Sequence, residues 1–317
     1  MRVLVTGAGG FIGRSLVTQL LAEGLGGQPV TQLTGLDLRL PGCDDPRWRG
    51  VVGNIADPAV LAGALREPPE VVFHLASLPG GAAEAQPQLG RQINLDATVT
   101  LFEALHRPEA PPRVVYASSV AVYGERLPEQ VDDHTPTAPG LSYGAHKLIG
   151  EILLADAVRR GGLQGCSLRL PGVVARPGEG AGLMSAFMSH LFWRLRDGEA
   201  IELPVRTEGC AWWISVQRCA RNLRAAAVAD LGPTDPLGAS RVALMPAQWL
   251  SMQAVVDALA RRFGPDRAAL VSSQPQENVD RLFARYPPLA TPKADALGLC
   301  HDGSADGLVR AVLGESP

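Results

Sequence analysis

The sequence predicts an α/β protein, a doubly wound parallel sheet followed by a smaller α/β lobe. Three observations carry this. Short β-branched runs alternate with helical stretches over the first 170 or so residues. Several of those runs are almost wholly apolar, as expected of parallel strands covered on both faces. A glycine-rich turn joins the first strand to the first helix, the arrangement of a dinucleotide-binding Rossmann unit.

In chain order, strands are expected at Arg2–Thr6, Gln32–Asp37, Val71–Ala76, Arg113–Ser118 and Ser167–Val174. Helices are expected at Phe11–Glu23, Pro58–Leu65, Leu89–His106 and Tyr143–Arg160. After Val174 the alternation weakens, and Arg176-Pro177-Gly178-Glu179-Gly180 reads as a loop. A helix over Leu183–Arg196, a strand at Arg241–Met245 and a helix over Ser251–Phe263 follow. This divides the chain into a cofactor domain, residues 1–175, and a substrate lobe, 176–317, that does not fold alone.

Composition excludes several classes. Of 317 residues 46% are hydrophobic and 19% charged, which supports a core and excludes disorder as the main state. The net charge of −3 offers no basic surface for nucleic acid. No apolar run is long enough for a membrane span, and the N-terminal one is too short for a signal peptide. Five cysteines, at 43, 166, 210, 219 and 300, form no C-x-x-C pair; they read as thiols in a reducing cytoplasm, with neither a disulfide framework nor a zinc pattern. No ligand cluster points to a metal.

The chemistry starts at Gly7-Ala8-Gly9-Gly10-Phe11-Ile12-Gly13. Glycines at 7, 10 and 13 permit a tight turn and let a pyrophosphate approach the backbone at a helix N-terminus. Asp37 ends the second strand, where a carboxylate accepts from ribose hydroxyls and repels a 2′-phosphate. Arg39 would favour the phosphorylated cofactor, but Asp37 carries more weight, so NAD is expected. Tyr143 and Lys147 lie one helical turn apart on one face. A neighbouring ammonium lowers a phenol's pKa and makes it a usable base. Ser119, at the carboxyl end of the strand expected at Arg113–Ser118, offers a hydroxyl to a reacting oxygen. His74 reads as structural.

Together, Gly7–Gly13, Asp37, His74-Leu75-Ala76, Asn94, Ser119, Tyr143 and Lys147 resemble the extended short-chain dehydrogenase/reductases, the NAD-dependent epimerase/dehydratase superfamily. The resemblance implies Ser119, Tyr143 and Lys147 as catalytic residues. It implies cofactor contacts from Gly7, Gly10, Phe11, Ile12, Gly13, Asp37, Asn54, Ile55, Leu75, Ala76, Asn94, Tyr143, Lys147 and Pro171. Asn54 stands where the family usually has Asp, and its amide still pairs with adenine's amino group.

Two departures count against a nucleotide sugar. Gly172 stands where epimerases usually carry Asn, and Trp213–Ala220 lacks their later His and Asp. The strings His74–Gly81, Ser118–Gly124 and Arg169–Gly178, with Tyr286-Pro287 in the tail, resemble instead the D-erythronate dehydrogenase group. This implies oxidation of the C2 hydroxyl of a short sugar acid by NAD; a nucleotide-sugar epimerase or dehydratase is the alternative. The substrate is then held by Ser119, Tyr143 and an arginine, with Arg176, Arg206 and Arg218 as candidates for its carboxylate. Trp212 and Trp213 are candidates for the pocket wall. The resemblance also implies a homodimer through a four-helix bundle, with Leu148, Ile152 and Ala155 as a possible outward stripe.

Overall fold

The computed structural model describes residues 1–178, 184–231 and 235–315. Glu179, Gly180 and Leu183, which belong to the expected loop and helix, lie outside the described residues.

The first half runs β1 (Arg2–Thr6), α1 (Phe11–Glu23), β2 (Gln32–Asp37), β3 (Trp48–Val52), α2 (Pro58–Ala64), β4 (Val71–His74), α3 (Gly80–Ala85), α4 (Pro87–Arg91) and α5 (Ala97–Leu105). It continues with β5 (Arg113–Ser119), α6 (Ser142–Arg159), β6 (Gln164–Leu170) and β7 (Gly172–Val174). The second half adds α7 (Ala186–Asp197), β8 (Ile201–Leu203), β9 (Cys210–Ser215), α8 (Val216–Val228), β10 (Val242–Leu244) and β11 (Gln248–Ser251). It ends with α9 (Met252–Phe263), β12 (Val271–Ser273), α10 (Glu277–Phe283), α11 (Pro292–Ala296) and α12 (Ala305–Val312).

The main sheet has seven parallel strands in the order β10-β6-β5-β4-β1-β2-β3. Strand order reverses between β1 and β4, so a crevice opens there at the carboxyl ends. Val3 and Val5 face one core with Leu16, Leu20 and Leu223, while Leu4 faces another with Phe102 and Leu154. A strand buried on both sides has no polar positions to spare, hence its apolar sequence.

Local chemistry sets the helix limits. Gly24, at φ +69°, ends α1 and returns its N–H to Leu20. Asp57 caps α2, accepting from Ala59 N at 2.8 Å, and Pro58 follows at the first helical position. Ser215 and Ser251 cap α8 and α9.

Three expectations change. The strand expected through Val174 is interrupted at Pro171, which has no N–H for a ladder. Beyond it β7 leaves the main sheet and pairs with β9 in a second sheet, β11-β9-β7. The helix expected over Leu89–His106 is broken by a π-helical stretch, Gln92–Asp96, around Asn94. The apolar stripe differs too: Ile152 faces outward as expected, but Leu148 packs inward with Tyr123 and Trp212, and the other exposed large apolar residue of α6 is Ile149.

The second half is interlaced with the first. β10 lies parallel beside β6, and α8 packs on α1 through Cys219, Ala220 and Leu223. Helices α7, α9, α10 and α12 form a core of their own around Trp213.

Candidate active site

A cleft of about 680 Å³ runs along the carboxyl ends of the sheet, between the main sheet and the elements after β6. That volume suits a dinucleotide with a small substrate.

Its cofactor end is built from backbone. Gly7 sits at φ +73°, and a Cβ there would lie 2.7 Å from Ala76 N. A Cβ on Gly9 would meet Arg39 O at 1.8 Å, and one on Gly13 would meet Gly7 O at 2.1 Å. The turn therefore closes only with glycine at all three places. α1 begins at Gly10 without a side-chain cap, so its first N–H groups are left for an anion. Asp37 holds the turn by accepting from Gly9 N at 3.0 Å, and its carboxylate lines the cleft. Asn54 and Ile55 line the same end, and the Asn54 side chain accepts from Ala56 N at 2.9 Å. A cradle that excludes Cβ atoms, an uncapped helix start and a carboxylate at the end of β2 fit a dinucleotide.

Leu75 and Ala76 continue the wall. Asn94, expected to touch the cofactor, is buried and is not among the residues lining the cleft. Its amide oxygen accepts from Leu78 N at 2.6 Å and Ser77 Oγ at 3.1 Å, and its amide nitrogen donates to Leu78 O at 2.9 Å. These bonds tie it to the loop after β4. His74 is likewise structural: its two ring nitrogens face Thr6 Oγ1 at 2.7 Å and Thr98 Oγ1 at 2.9 Å. Burial, with the charge of Lys147 second, pushes its pKa down to about 3.

Ser119, Tyr143 and Lys147 meet at the middle of the cleft. Two glycines of α6 allow it. A Cβ on Gly144 would lie 2.4 Å from Ala121 O, so α6 can press against the turn that follows Ser119. A Cβ on Gly150 would strike the Tyr116 hydroxyl at 2.5 Å, so the helix seats closely on β5. Glu84 accepts from Ser142 N at 2.5 Å and anchors the start of the helix. Lys147 Nζ lies 5.6 Å from the Tyr143 ring centroid and 4.9 Å from that of Tyr116. Burial raises the Tyr143 pKa, and the hydroxyls of Ser119 and Ser77 oppose that shift. Burial lowers the Lys147 pKa to about 7, with Glu151 opposing. The site thus holds a phenol and an amine whose charged forms are both costly until a partner enters.

Below Lys147 lies a buried network that sequence reasoning missed. Arg169 donates to both oxygens of Glu151, at 2.9 and 2.8 Å, and to the Tyr123 hydroxyl at 3.0 Å. Ser118 Oγ donates to Glu151 at 2.5 Å. Glu151 stands four residues after Lys147 and eight after Tyr143, a spacing that signals a shared helix face.

The substrate end is walled by Pro171, Gly172, Met188, Trp212, Phe283 and Tyr286. Trp212 stacks on Tyr286 at 4.5 Å and donates to Pro287 O at 2.7 Å. Trp213 points the other way, into the core with Phe192, and does not line the cleft. A Cβ on Gly172 would lie 2.7 Å from Trp212 O and 3.0 Å from Met188 Cε, so the Asn that epimerases usually carry finds no room. Of the three expected carboxylate partners, only Arg176 lines the cleft. Arg206 is tied to Asp280 at 2.8 Å, and Arg218 donates to Cys300 Sγ at 3.2 Å. Arg281 and Arg285, both in the cleft wall, were not anticipated.

No group of three His, Cys, Asp or Glu side chains suited to a metal occurs among the described residues, and no described helix is long and apolar enough to cross a membrane.

The family model for the NAD-dependent epimerases and dehydratases matches residues 3–226. A D-erythronate dehydrogenase of Cupriavidus necator is 39% identical over 99% of this chain and 98% of its own. One from Haemophilus influenzae is 28% identical over 99% of both chains. A solved structure described as a nucleoside-diphosphate-sugar epimerase, from Agrobacterium tumefaciens, is 31% identical, with a TM-score of 0.90 over the whole of this chain and 95% of that one.

Proposed function

This chain belongs to the NAD-dependent epimerase/dehydratase family, and we propose that within it the protein oxidises the C2 hydroxyl of a short sugar acid, of the D-erythronate type, to the 2-oxo acid. The observation that carries this is the meeting of Ser119, Tyr143 and Lys147 beside a substrate end narrowed by Trp212, Met188 and Tyr286. Full-length similarity to the two D-erythronate dehydrogenases supports it.

Tyr143 takes the proton of the substrate hydroxyl as general base. Ser119 Oγ holds the same oxygen, fixing which C–H bond faces the cofactor. Lys147 stays protonated beside the phenolate, because each charge offsets the desolvation of the other. NAD, when bound, supplies the hydride acceptor, so the alcohol loses a hydride and a proton and becomes a ketone. Asp37 favours NAD over the 2′-phosphorylated cofactor. Residues 1–175 carry the cofactor and 176–317 complete the substrate wall. A homodimer would cover Ile149 and Ile152, and a reducing cytoplasm would keep the five cysteines as thiols.

The test is NADH appearance at 340 nm with D-erythronate, L-threonate, UDP-glucose and UDP-galactose. Turnover of a four-carbon acid is expected, and Tyr143→Phe should lower kcat by about 10²–10⁴-fold. Silence on every acid, with interconversion of a UDP-sugar in a separate product assay, would replace this reading by the epimerase one, which the description of the Agrobacterium structure favours.

A further inference from the structure

We propose that the cleft sorts two anions between two arginines: Arg176 receives the pyrophosphate of the cofactor, and Arg281, released by Glu125, receives the carboxylate of the substrate. The second half of this rests on the sugar-acid reading above.

Three arginines line the described part of the cleft: Arg176, Arg281 and Arg285. Their present partners separate them. Arg285 is committed, with its Nη2 donating to both oxygens of Glu277 at 3.1 Å and its Nε to Asp280 at 3.1 Å. Asp280 is itself buried and shared with Arg206, which makes that cluster a fixed strut.

Arg176 has no carboxylate partner among the described residues. Its guanidinium lies over the ring of Phe11, 5.0 Å from the centroid. Phe11 is the first residue of α1, whose N-terminal N–H groups have no side-chain cap. A guanidinium stacked on an aromatic face keeps its N–H edge free. Here that edge stands beside the helix start that attracts phosphate. Burial also lowers its pKa, so an anion arriving there relieves a charge that is costly when alone. The sequence made Arg176 one of three candidates for the substrate carboxylate; its position over Phe11 argues for the other anion.

Arg281 forms an ion pair with Glu125 across 156 residues of sequence. Glu125 follows Gly124, whose φ of +74° ends the turn directly beyond Ser119. Arg281 belongs to α10, in the opposite wall. The pair therefore bridges the cleft on the catalytic side. Both side chains are half-exposed, at 42% and 39%, and a pair of that kind is held weakly. Glu125 can pass to water while a substrate carboxylate, entering a drier place, takes the guanidinium in two-pronged fashion. In a four-carbon acid oxidised at C2 the carboxylate adjoins the reacting carbon, so its receiver must stand near Ser119 and Tyr143.

The test uses Arg176→Met, Arg281→Met, Arg281→Lys and Glu125→Gln, each checked for an unchanged thermal midpoint. Calorimetry measures NAD, ADP-ribose and adenosine binding, and steady-state kinetics measure the acid. Arg176→Met should weaken NAD and ADP-ribose by about tenfold or more and leave adenosine unchanged. Arg281→Met should raise KM for the acid by about 100-fold with NAD affinity within about twofold, and Arg281→Lys should recover part of it. Glu125→Gln should lower that KM, an effect of opposite sign that a purely structural pair would not produce. Acid turnover with an unchanged KM in Arg281→Met overturns the assignment of Arg281. Intact ADP-ribose binding in Arg176→Met overturns that of Arg176. A wild-type protein that oxidises no sugar acid refutes the functional reading and takes the Arg281 half with it, while ADP-ribose binding still decides Arg176.

Discussion

Replacing Arg169 by Met should be among the most damaging single changes at the site, although Arg169 does not line the cleft. The change removes three hydrogen bonds and leaves Glu151, 3% exposed, with only Ser118 as a hydrogen-bond partner. Breaking a buried pair from one side costs about 3–5 kcal/mol. With an unfolding entropy of about 2.1 cal/mol/K per residue, a chain of 317 residues has about 0.7 kcal/mol/K, so the midpoint should fall by about 4–7 °C. Glu151→Leu alone should cost a similar amount, because it strands the guanidinium. The double variant Glu151→Leu/Arg169→Met removes both charges, leaves the Ser118 hydroxyl without its partner and leaves the Tyr123 hydroxyl with only its bond to Asp132 O at 3.4 Å, at about 1 kcal/mol each. It should therefore lose about 2 kcal/mol, far less than the sum of the singles. Urea unfolding of the four proteins closes the cycle. A double variant as unstable as the two singles added together would show that the residues act independently and refute the reasoning.

Three further outcomes are expected. Gly9→Ala forces a Cβ to within 1.8 Å of Arg39 O, so the turn must open; NAD affinity measured by calorimetry should fall by more than about tenfold. Asp37→Ala should raise kcat/KM with NADP relative to NAD, since the carboxylate that repels a 2′-phosphate is gone; an unchanged ratio would mean that Asp37 only holds Gly9. His74, whose folded pKa is about 3 against an ordinary 6.5, stays neutral in the native state while the unfolded chain takes up a proton. Its contribution is complete above pH 6.5 and is lost at about 1.4 kcal/mol per pH unit down to pH 3. His74→Asn should show a shallower loss of stability over that window in denaturant titrations.

The cofactor half was legible because its signals are local. Gly7–Gly13, the apolar β1 and β4 and the spacing of Tyr143 and Lys147 each express a constraint within a few residues. Asn94 was singled out, but its bonds to Leu78 were not legible, because they reach back across 16 residues of loop and short helix. α8 was missed although Ser215 caps it and its apolar residues recur at helical spacing, since only its first turn was weighed, against a family pattern. Trp212 and Trp213 were indistinguishable beforehand: both are fully buried, and strand alternation sends one to the cleft and the other to the core. The substrate arginines were the least legible. The pairs that decide them, Arg281 with Glu125 and Arg206 with Asp280, join residues 156 and 74 positions apart, and one-dimensional patterns carry no sign of such partners.

The place of β10 at the sheet edge has a consequence for how the protein is made. β6 is complete at Leu170, but the strand that covers its outer side ends at Leu244. During synthesis the intervening 74 residues take about 4–15 s to appear. For that time the nascent chain carries an open ladder of unpaired amides and carbonyls, and until α8 is complete at Val228 the apolar face beside it is also unshielded, a template for pairing with another nascent chain. The demand that this protein makes on cellular chaperones should therefore fall in one interval of its translation, and slowing the ribosome between codons 170 and 244 should lower the soluble yield more than the same delay elsewhere.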